Sequence, residues 1–190
     1  KNNLAYKKNI LPRNLEIIAC SEMDYRRAMK SSLFRNNAIH KVLLPVDNNN
    51  YRPLDKTQAK DVFCIDSRKR VILYGALSIN NPRKGGRYFL EAITHLQNNI
   101  LTNANPVVDW LILVIGIVDK DIFSKINIPI KFLGLVNEEQ LINVYQAADV
   151  YVSTSVEDSG PFMINQSMMC GTPVVSFEIG VSLDLVQTSK

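Results

Sequence analysis

The sequence predicts an α/β fold in which one parallel β-sheet is covered by helices on both faces. From about residue 69 to the end of the 190 residues, short apolar runs of strand length alternate with longer amphipathic segments. The apolar runs show no polar alternation, which is typical of strands that are buried on both faces. Because strands that alternate with helices are joined by right-handed crossovers, we expect these strands to be parallel.

Capping residues set the expected helix boundaries in this region. Asn137 opens one helix, and Gln140 follows three residues later, as in a capping box. Pro161 is expected at the first helical position of the next helix, where an N–H is not needed, and Gly171 ends that helix in the left-handed conformation. In chain order, the predicted elements are strand 71–75, helix 85–96, strand 109–116, strand 130–134, a helix from 137, strand 149–153, a helix opening at 159–161 and strand 173–177.

The first 60 residues follow a different pattern. A strand is predicted at 15–19, a helix at 22–30 and a second strand at 39–44. The stretch that follows, VDNNNYRPLDK, is polar and has no periodicity, as expected of a linker or an interdomain crossing. We therefore expect residues 1–44 to be the tail of one domain, residues 45–55 to be a linker and residues 56–190 to form most of a second domain.

Composition and charge exclude several classes of protein. With 46% hydrophobic and 21% charged residues, the chain can bury a core. The net charge of +4 is too small for a nucleic-acid-binding arm; residues 1–60 carry +7 and the remainder −3. Three widely spaced cysteines and two histidines form neither a disulfide framework nor a zinc site. The longest apolar run is about half the length of a membrane span, and the start lacks a secretory signal, so a cytosolic setting is expected.

The long loop that joins the first predicted strand to its helix (here called a joint), ALSINNPRKGG at 76–86, is a candidate anion site. It carries Arg83 and Lys84 next to two glycines at the expected start of a helix. Cations together with the free N–H groups of a helix N-terminus favour phosphate. The alternative is a solvated basic turn whose glycines ease the start of the helix, and the loop alone does not decide between the two.

A second candidate lies in the joint STSVEDSGPF at 153–162, where Glu157 and Asp158 precede a helix. Carboxylates at this edge of a sheet suit hydroxyl-rich ligands such as sugars, because they accept hydrogen bonds from hydroxyl groups. The alternative is that Asp158 or Ser159 simply caps the helix. The sequence contains no Gly-x-Gly-x-x-Gly, P-loop or Gly-x-Ser-x-Gly motif and no nucleophile–histidine pairing.

Five segments together resemble the C-terminal, donor-binding domain of retaining glycosyltransferases with two facing Rossmann-like domains, in particular glycosyltransferase family 4. The most specific is VYVSTSVEDSGPFMINQSMMCGTPVVSFEIG, which is similar to the family's segment of paired acids followed by Cys-Gly-Thr-Pro-Val-Val. The others are ILYGALSINNPRKGGRYFLEAI (phosphate loop), FLGLVNEEQLINVYQAADVYVSTS (base-binding turn), VLLPVDNNNYRP (interdomain crossing) and LEIIACSEMDYRRAMKSSLF (end of the acceptor-binding domain). The resemblance covers about residues 15–188 and implies that the donor domain is truncated at its C-terminus.

The resemblance implies roles for individual residues. Lys84 matches the lysine that binds the donor diphosphate, Asp158 the first paired acid, which contacts the transferred sugar, and Gln166 the second, which holds the ribose. The sequence departs from the family pattern at Asp158 and Gln166, which stand where the family has paired glutamates, and at Ala76, where the family usually has an arginine. The expected catalytic residues are Asp158 and Lys84, and the expected donor-binding residues are Arg83, Lys84, Gly85, Leu135, Val136 (along the base), Glu157, Asp158, Ser159, Gly160, Pro161, Phe162 and Gln166.

The implied function is transfer of a sugar, of the hexosyl type, from a UDP- or GDP-sugar to an acceptor hydroxyl with retention of configuration. The resemblance implies no cofactor or metal, no nucleic-acid partner, a glycan or lipid-linked acceptor and a role in bacterial polysaccharide synthesis. It also implies a cytoplasmic protein that contacts the inner face of the membrane through an N-terminal domain absent from this chain; the fragment alone is not expected to be active. Two alternatives stay open: a nucleotide- or sugar-binding module eroded at Ala76 and Gln166, and an epimerase of the same architecture.

Overall fold

The computed structural model describes residues 2–12, 14–102 and 109–186. The first part of the chain forms helix α1 (Asn2–Ile10), strand β1 (Ile17–Ala19), helix α2 (Glu22–Lys30), strand β2 (Ile39–Lys41) and helix α3 (Lys56–Val62). β1 and β2 pair in parallel as a two-stranded sheet, with Ile17 opposite Ile39. α2 has the predicted bounds, whereas both strands are shorter than predicted and α1 and α3 were not predicted.

The second part of the chain forms a five-stranded parallel sheet in the order β5-β4-β3-β6-β7. This confirms the predicted α/β class. The elements are β3 (Arg70–Ser78), α4 (Gly86–Thr102), β4 (Trp110–Ile117), β5 (Ile130–Gly134), α5 (Glu138–Ala147), β6 (Val150–Ser153), α6 (Phe162–Met169), β7 (Val174–Ser176) and α7 (Ser182–Leu185).

Both faces of the sheet are buried, because alternate side chains of each strand enter different apolar layers. On one face, Leu73 of β3 packs in a layer with Tyr145 of α5 and Ile164 of α6. On the other face, Ile72 packs in a layer with Phe89 of α4. The prediction of helices on both faces is therefore confirmed.

The segment expected to be a linker contributes to this core. Tyr51 is only 4% exposed and lies in the same layer as Leu73. Residues 45–55 are therefore packed against the sheet domain over at least part of their length, a contact that the polar composition VDNNNYRPLDK does not indicate.

Three predicted boundaries in this part of the chain were wrong. Helix α4 ends at Thr102, six residues beyond the predicted end at 96. β3 continues to Ser78, so the joint that follows it is shorter than 76–86, and it contains a 3₁₀ turn at Pro82–Lys84. Pro161 precedes helix α6 instead of opening it, because its ψ of 90° is not helical. The capping box of Asn137 and Gln140 is confirmed, as is the left-handed Gly171 with φ of 79°.

Within the described residues, no helix combines the length and the apolar character that crossing a membrane requires.

Candidate functional site

The site lies at the topological switch point of the sheet, where the order in which strands are added changes from one side of β3 to the other. β3 is the central strand, with β4 on one side and β6 on the other, so the joints that follow β3 and β6 diverge from neighbouring strand ends. Such a switch point opens a crevice at the carboxyl edge of a parallel sheet, which is where ligands bind in open α/β folds.

The two joints are held together by main-chain contacts. Val156 N donates to Arg83 O at 2.9 Å, and the Thr154 hydroxyl donates to Lys84 O at 3.2 Å. Gly85 has a φ of +67°, and a Cβ built on it would lie 1.8 Å from Thr154 O. Only glycine therefore permits this approach of the two joints.

Local hydrogen bonds set the direction of the basic turn. The Asn81 side chain accepts from Arg83 N at 3.1 Å and caps the 3₁₀ turn, in which Pro82 takes the first position. The turn ends at Gly85, directly before helix α4. Lys84 is thereby directed towards the joint after β6, while Arg83 remains exposed.

Lys84 and Asp158 form an ion pair across the crevice, with 2.6 Å between Nζ and Oδ2. Their side chains are 31% and 16% exposed. The capping alternative for Asp158 and Ser159 was wrong, because no side chain caps helix α6. Asp158 is therefore turned towards the basic turn, and the first N–H groups of α6 are left without a side-chain partner.

A cleft of about 220 Å³ surrounds this ion pair. Its lining brings together five residues named from the sequence, Arg83, Lys84, Glu157, Asp158 and Ser159, and one residue that sequence reasoning missed, Arg27 of α2. No motif or spacing links residue 27 to residue 84, so only the packing of α2 against the sheet domain could reveal Arg27.

A family model described as glycosyl transferases group 1 matches residues 68–190, about two thirds of the chain. The chain belongs to this family. The matched region begins just before β3 and contains both joints that form the crevice.

The curated glycosyltransferases that the chain matches are distant in sequence. The chain is 26% identical over 136 residues to the D-inositol 3-phosphate glycosyltransferase of Mycobacterium sp. strain KMS, which covers 71% of this chain and 30% of the relative. The chain thus spans less than a third of the length of the curated relatives that it matches.

Solved glycosyltransferase structures share the fold. A glycosyltransferase from Rickettsia africae ESF-5 superposes with a TM-score of 0.75 at 17% identity, covering 99% of this chain and 51% of that one. The HepE protein of Anabaena, solved with UDP and glucose, superposes with a TM-score of 0.68 at 18% identity, covering 98% and 51%. These likenesses show the fold of roughly one half of a two-domain glycosyltransferase.

Gln166 lies apart from the cleft lining and is only 7% exposed. Its Oε1 accepts from the Tyr145 hydroxyl at 3.0 Å, and its Nε2 donates to the Tyr51 hydroxyl at 2.8 Å. The Tyr51 hydroxyl in turn donates to Glu138 Oε1 at 3.3 Å. Burial, and to a smaller extent the nearby Glu138 carboxylate, raises the pKa of Tyr51 to about 12. The hydroxyl therefore remains a donor at neutral pH.

The remaining predicted residues follow the carboxyl ends of β5 and β6 and do not line the cleft. Leu135 follows β5 and is 63% exposed, whereas Val136 is half-buried and packs against the core. Gly160 lies close to the first part of the chain, since a Cβ built on it would lie 3.7 Å from Leu44 Cδ1. Pro161 is buried and Phe162 is exposed at the start of α6.

Among the described residues, no group of three or more His, Cys, Asp or Glu side chains is arranged to hold a metal ion.

Proposed function

We propose that this chain is the donor-binding part of a retaining glycosyltransferase that transfers a sugar, of the hexosyl type, from a UDP- or GDP-sugar to an acceptor hydroxyl. The observation that carries the proposal is the Lys84–Asp158 pair at the switch point of the sheet. It places a cation and a carboxylate side by side, as a ligand that joins a diphosphate to a sugar requires. The UDP and glucose in the Anabaena structure lend support to this donor class.

Lys84 supplies the cation that stabilises the departing nucleoside diphosphate. Its ammonium group has three donors and uses one on Asp158, which leaves donors for phosphate oxygens. Arg83 adds an exposed cation beside it. The first N–H groups of α6, which no side chain caps, add the positive end of a helix dipole. Fixed donors of this kind act where negative charge develops during transfer.

Asp158 accepts hydrogen bonds from the hydroxyls of the transferred sugar, and Glu157 and Ser159 extend this polar rim. The main chain at Gly160, Pro161 and Phe162 runs beside the diphosphate and the sugar. No metal or cofactor has a role in this proposal.

The nucleoside binds along the strand ends beyond the diphosphate. Leu135 and Val136 lie beside the base, and the exposed Leu135 offers it apolar surface. A contact between Gln166 and the ribose stays a prediction. Both polar atoms of the Gln166 amide are hydrogen-bonded, to the Tyr51 and Tyr145 hydroxyls. A ribose contact therefore requires the amide to break one of these hydrogen bonds and to form one with a ribose hydroxyl.

The protein that contains this chain then works at the cytoplasmic side of a membrane on a glycan or lipid-linked acceptor, in bacterial polysaccharide or glycan synthesis.

An eroded binding module is the second candidate, and two observations favour it. Ala76 is buried in the core and offers no cation, and the Gln166 amide is neutral and already bonded. The test combines calorimetric titration of UDP and GDP with a transfer assay on the full-length protein using a panel of UDP- and GDP-sugars. Binding with turnover supports the transferase, binding without turnover supports the module, and no binding of either nucleotide overturns both.

A further inference from the structure

Arg27 of helix α2 lines the same cleft as Lys84 and Asp158. It belongs to the first part of the chain, whereas every other lining residue belongs to the two joints of the sheet domain. The cleft is therefore closed on one side by a cation that comes from outside the sheet.

Contacts at the start of α2 hold this helix against the sheet domain. Glu22 N donates to Asp184 Oδ2 of α7 at 2.8 Å, and Lys41 Nζ of β2 lies 3.0 Å from Asp184 Oδ1. The Asn165 side chain of α6 donates to Leu44 O at 3.2 Å. The Ser21 side chain caps the helix and is fully buried. These contacts fix the start of α2 relative to the sheet domain, and with it the direction in which the helix presents its side chains.

The two neighbouring arginines of α2 have different surroundings. Arg26 is paired with Glu22, with 2.7 Å between Nε and Oε1. Arg27 has a single ion pair among the described residues, with Asp24. The distance between Arg27 Nη1 and Asp24 Oδ1 is 3.9 Å, which is too long for a hydrogen bond. Its side chain is 59% exposed. Arg27 therefore lines the cleft and has guanidinium donors that no hydrogen bond among the described residues uses.

We propose that Arg27 binds the terminal phosphate of the nucleoside diphosphate, so that the first part of the chain completes the donor site. This rests on the proposed function, which assigns the diphosphate to Lys84. The cleft lining carries three cations and two carboxylates, and Asp158 already engages Lys84. An anion bound beside Lys84 gains a planar, permanently charged partner whose paired N–H groups match two phosphate oxygens. Because Arg27 shares the cleft with Asp158, it acts on the sugar side of the diphosphate.

The test compares Arg27→Gln with Arg26→Gln in the full chain by titration calorimetry with UDP, UMP, GDP and GMP. We expect Arg27→Gln to weaken binding of the nucleoside diphosphate by about tenfold, the scale of one charged hydrogen bond, with little change for the monophosphate. Arg26→Gln removes a neighbouring arginine of similar exposure that does not line the cleft, so its binding should match the parent chain within about twofold.

Each remaining outcome overturns the inference in a distinguishable way. Equal diphosphate binding by the two variants leaves the proposed function standing and removes Arg27 from the site. An equal loss for diphosphate and monophosphate assigns Arg27 to general support of the fold, which a lowered thermal midpoint would also reveal. If the parent chain binds none of the four nucleotides, the proposed function itself has failed and the inference fails with it.

Discussion

The Nζ atom of Lys84 lies 2.6 Å from Oδ2 of Asp158, although 74 positions separate the two residues in the chain. Each belongs to a joint that leaves the carboxyl end of a central strand, and the pair closes the crevice between those strands. The two residues carry different parts of the proposed donor site, so their substitutions should have different effects.

Substitution of Lys84 should act on the diphosphate. We expect Lys84→Ala to weaken binding of UDP or GDP by tenfold or more, because it removes a charged donor from phosphate oxygens. Titration calorimetry measures this. The matched control is Lys125→Ala, an exposed lysine outside the cleft lining, which should bind as the parent chain does. Unchanged UDP and GDP binding by the Lys84 variant would contradict the proposal that Lys84 binds the diphosphate.

Substitution of Asp158 should act on the sugar. Asp158→Asn keeps the size of the side chain and removes its charge, so UDP or GDP binding should stay within about threefold of the parent. Transfer or hydrolysis of the corresponding nucleotide-sugar by the full-length protein should fall at least about a hundredfold, as expected for loss of an electrostatic partner in the reacting site. Nucleotide-sugar turnover equal to the parent would contradict the role of Asp158.

Glycine at position 85 should be required for the fold of the crevice. In Gly85→Ala the new Cβ meets Thr154 O at 1.8 Å, and we expect a loss of more than about 3 kcal/mol in the free energy of unfolding. The control is Gly134→Ala. Gly134 has nearly the same φ, +69°, but its Cβ would have no atom within 4 Å, so only the cost of the left-handed conformation, about 1 kcal/mol, should appear. Urea unfolding of both variants measures the difference, and equal losses would show that the contact with Thr154 is unimportant.

Asp149 should make stability depend on pH. Its carboxylate lies 3.0 Å from Lys56 Nζ and 3.2 Å from Lys60 Nζ, and it accepts from Val71 N at 2.8 Å. Burial opposes ionisation, but these hydrogen bonds outweigh it and lower the pKa of Asp149 below its ordinary value of 3.8. A lowered pKa stabilises the folded state above the ordinary value, and this contribution is lost as the pH falls through the lowered pKa.

We expect Asp149→Asn to cost about 1–3 kcal/mol at pH 7, because it leaves the buried Lys60 without its counter-charge. The difference from the parent chain should shrink as the pH falls below the ordinary value of 3.8 and through the lowered pKa of Asp149, because the contribution of the parent carboxylate is then lost. Urea unfolding at pH 7 and pH 3 checks this, with Asp61→Asn as a control at an exposed residue of helix α3, next to Lys60. A difference that is equal at both pH values would rule out the charge as its cause.

The Tyr51 hydroxyl should stabilise the packing of residues 45–55. Tyr51→Phe leaves the buried Nε2 of Gln166 without the acceptor at 2.8 Å, which should cost about 1–3 kcal/mol in the free energy of unfolding. Tyr6→Phe, at a residue that is 63% exposed, should change stability by less than about 0.5 kcal/mol. Equal stability of the two variants in urea unfolding would show that the amide finds another partner.

Local signals in the sequence predicted more of the fold than of the site. The buried strands and the capping box of Asn137 follow from patterns within about ten residues, and they were found. Helix α1 was missed because NNLAYKKNI has no apolar stripe, and α3 because its cap, Asp55, stands in a stretch that looks like a linker. The order of the strands, and hence the meeting of Lys84 with Asp158, is set by packing across the sheet. Arg27 and Tyr51 enter their sites through contacts between distant segments, which no local pattern records.

The obstacle at Gly85 is the main-chain oxygen of Thr154, and this limits how the crevice can change in evolution. When a glycine faces a neighbouring side chain, a smaller residue at the neighbouring position can make room for a substitution. Here every residue type at position 154 presents the same carbonyl oxygen, so no second mutation at that position can relieve the clash. Position 85 is thus expected to stay glycine while position 154 varies, and an alignment of related chains should show no correlated change between the two.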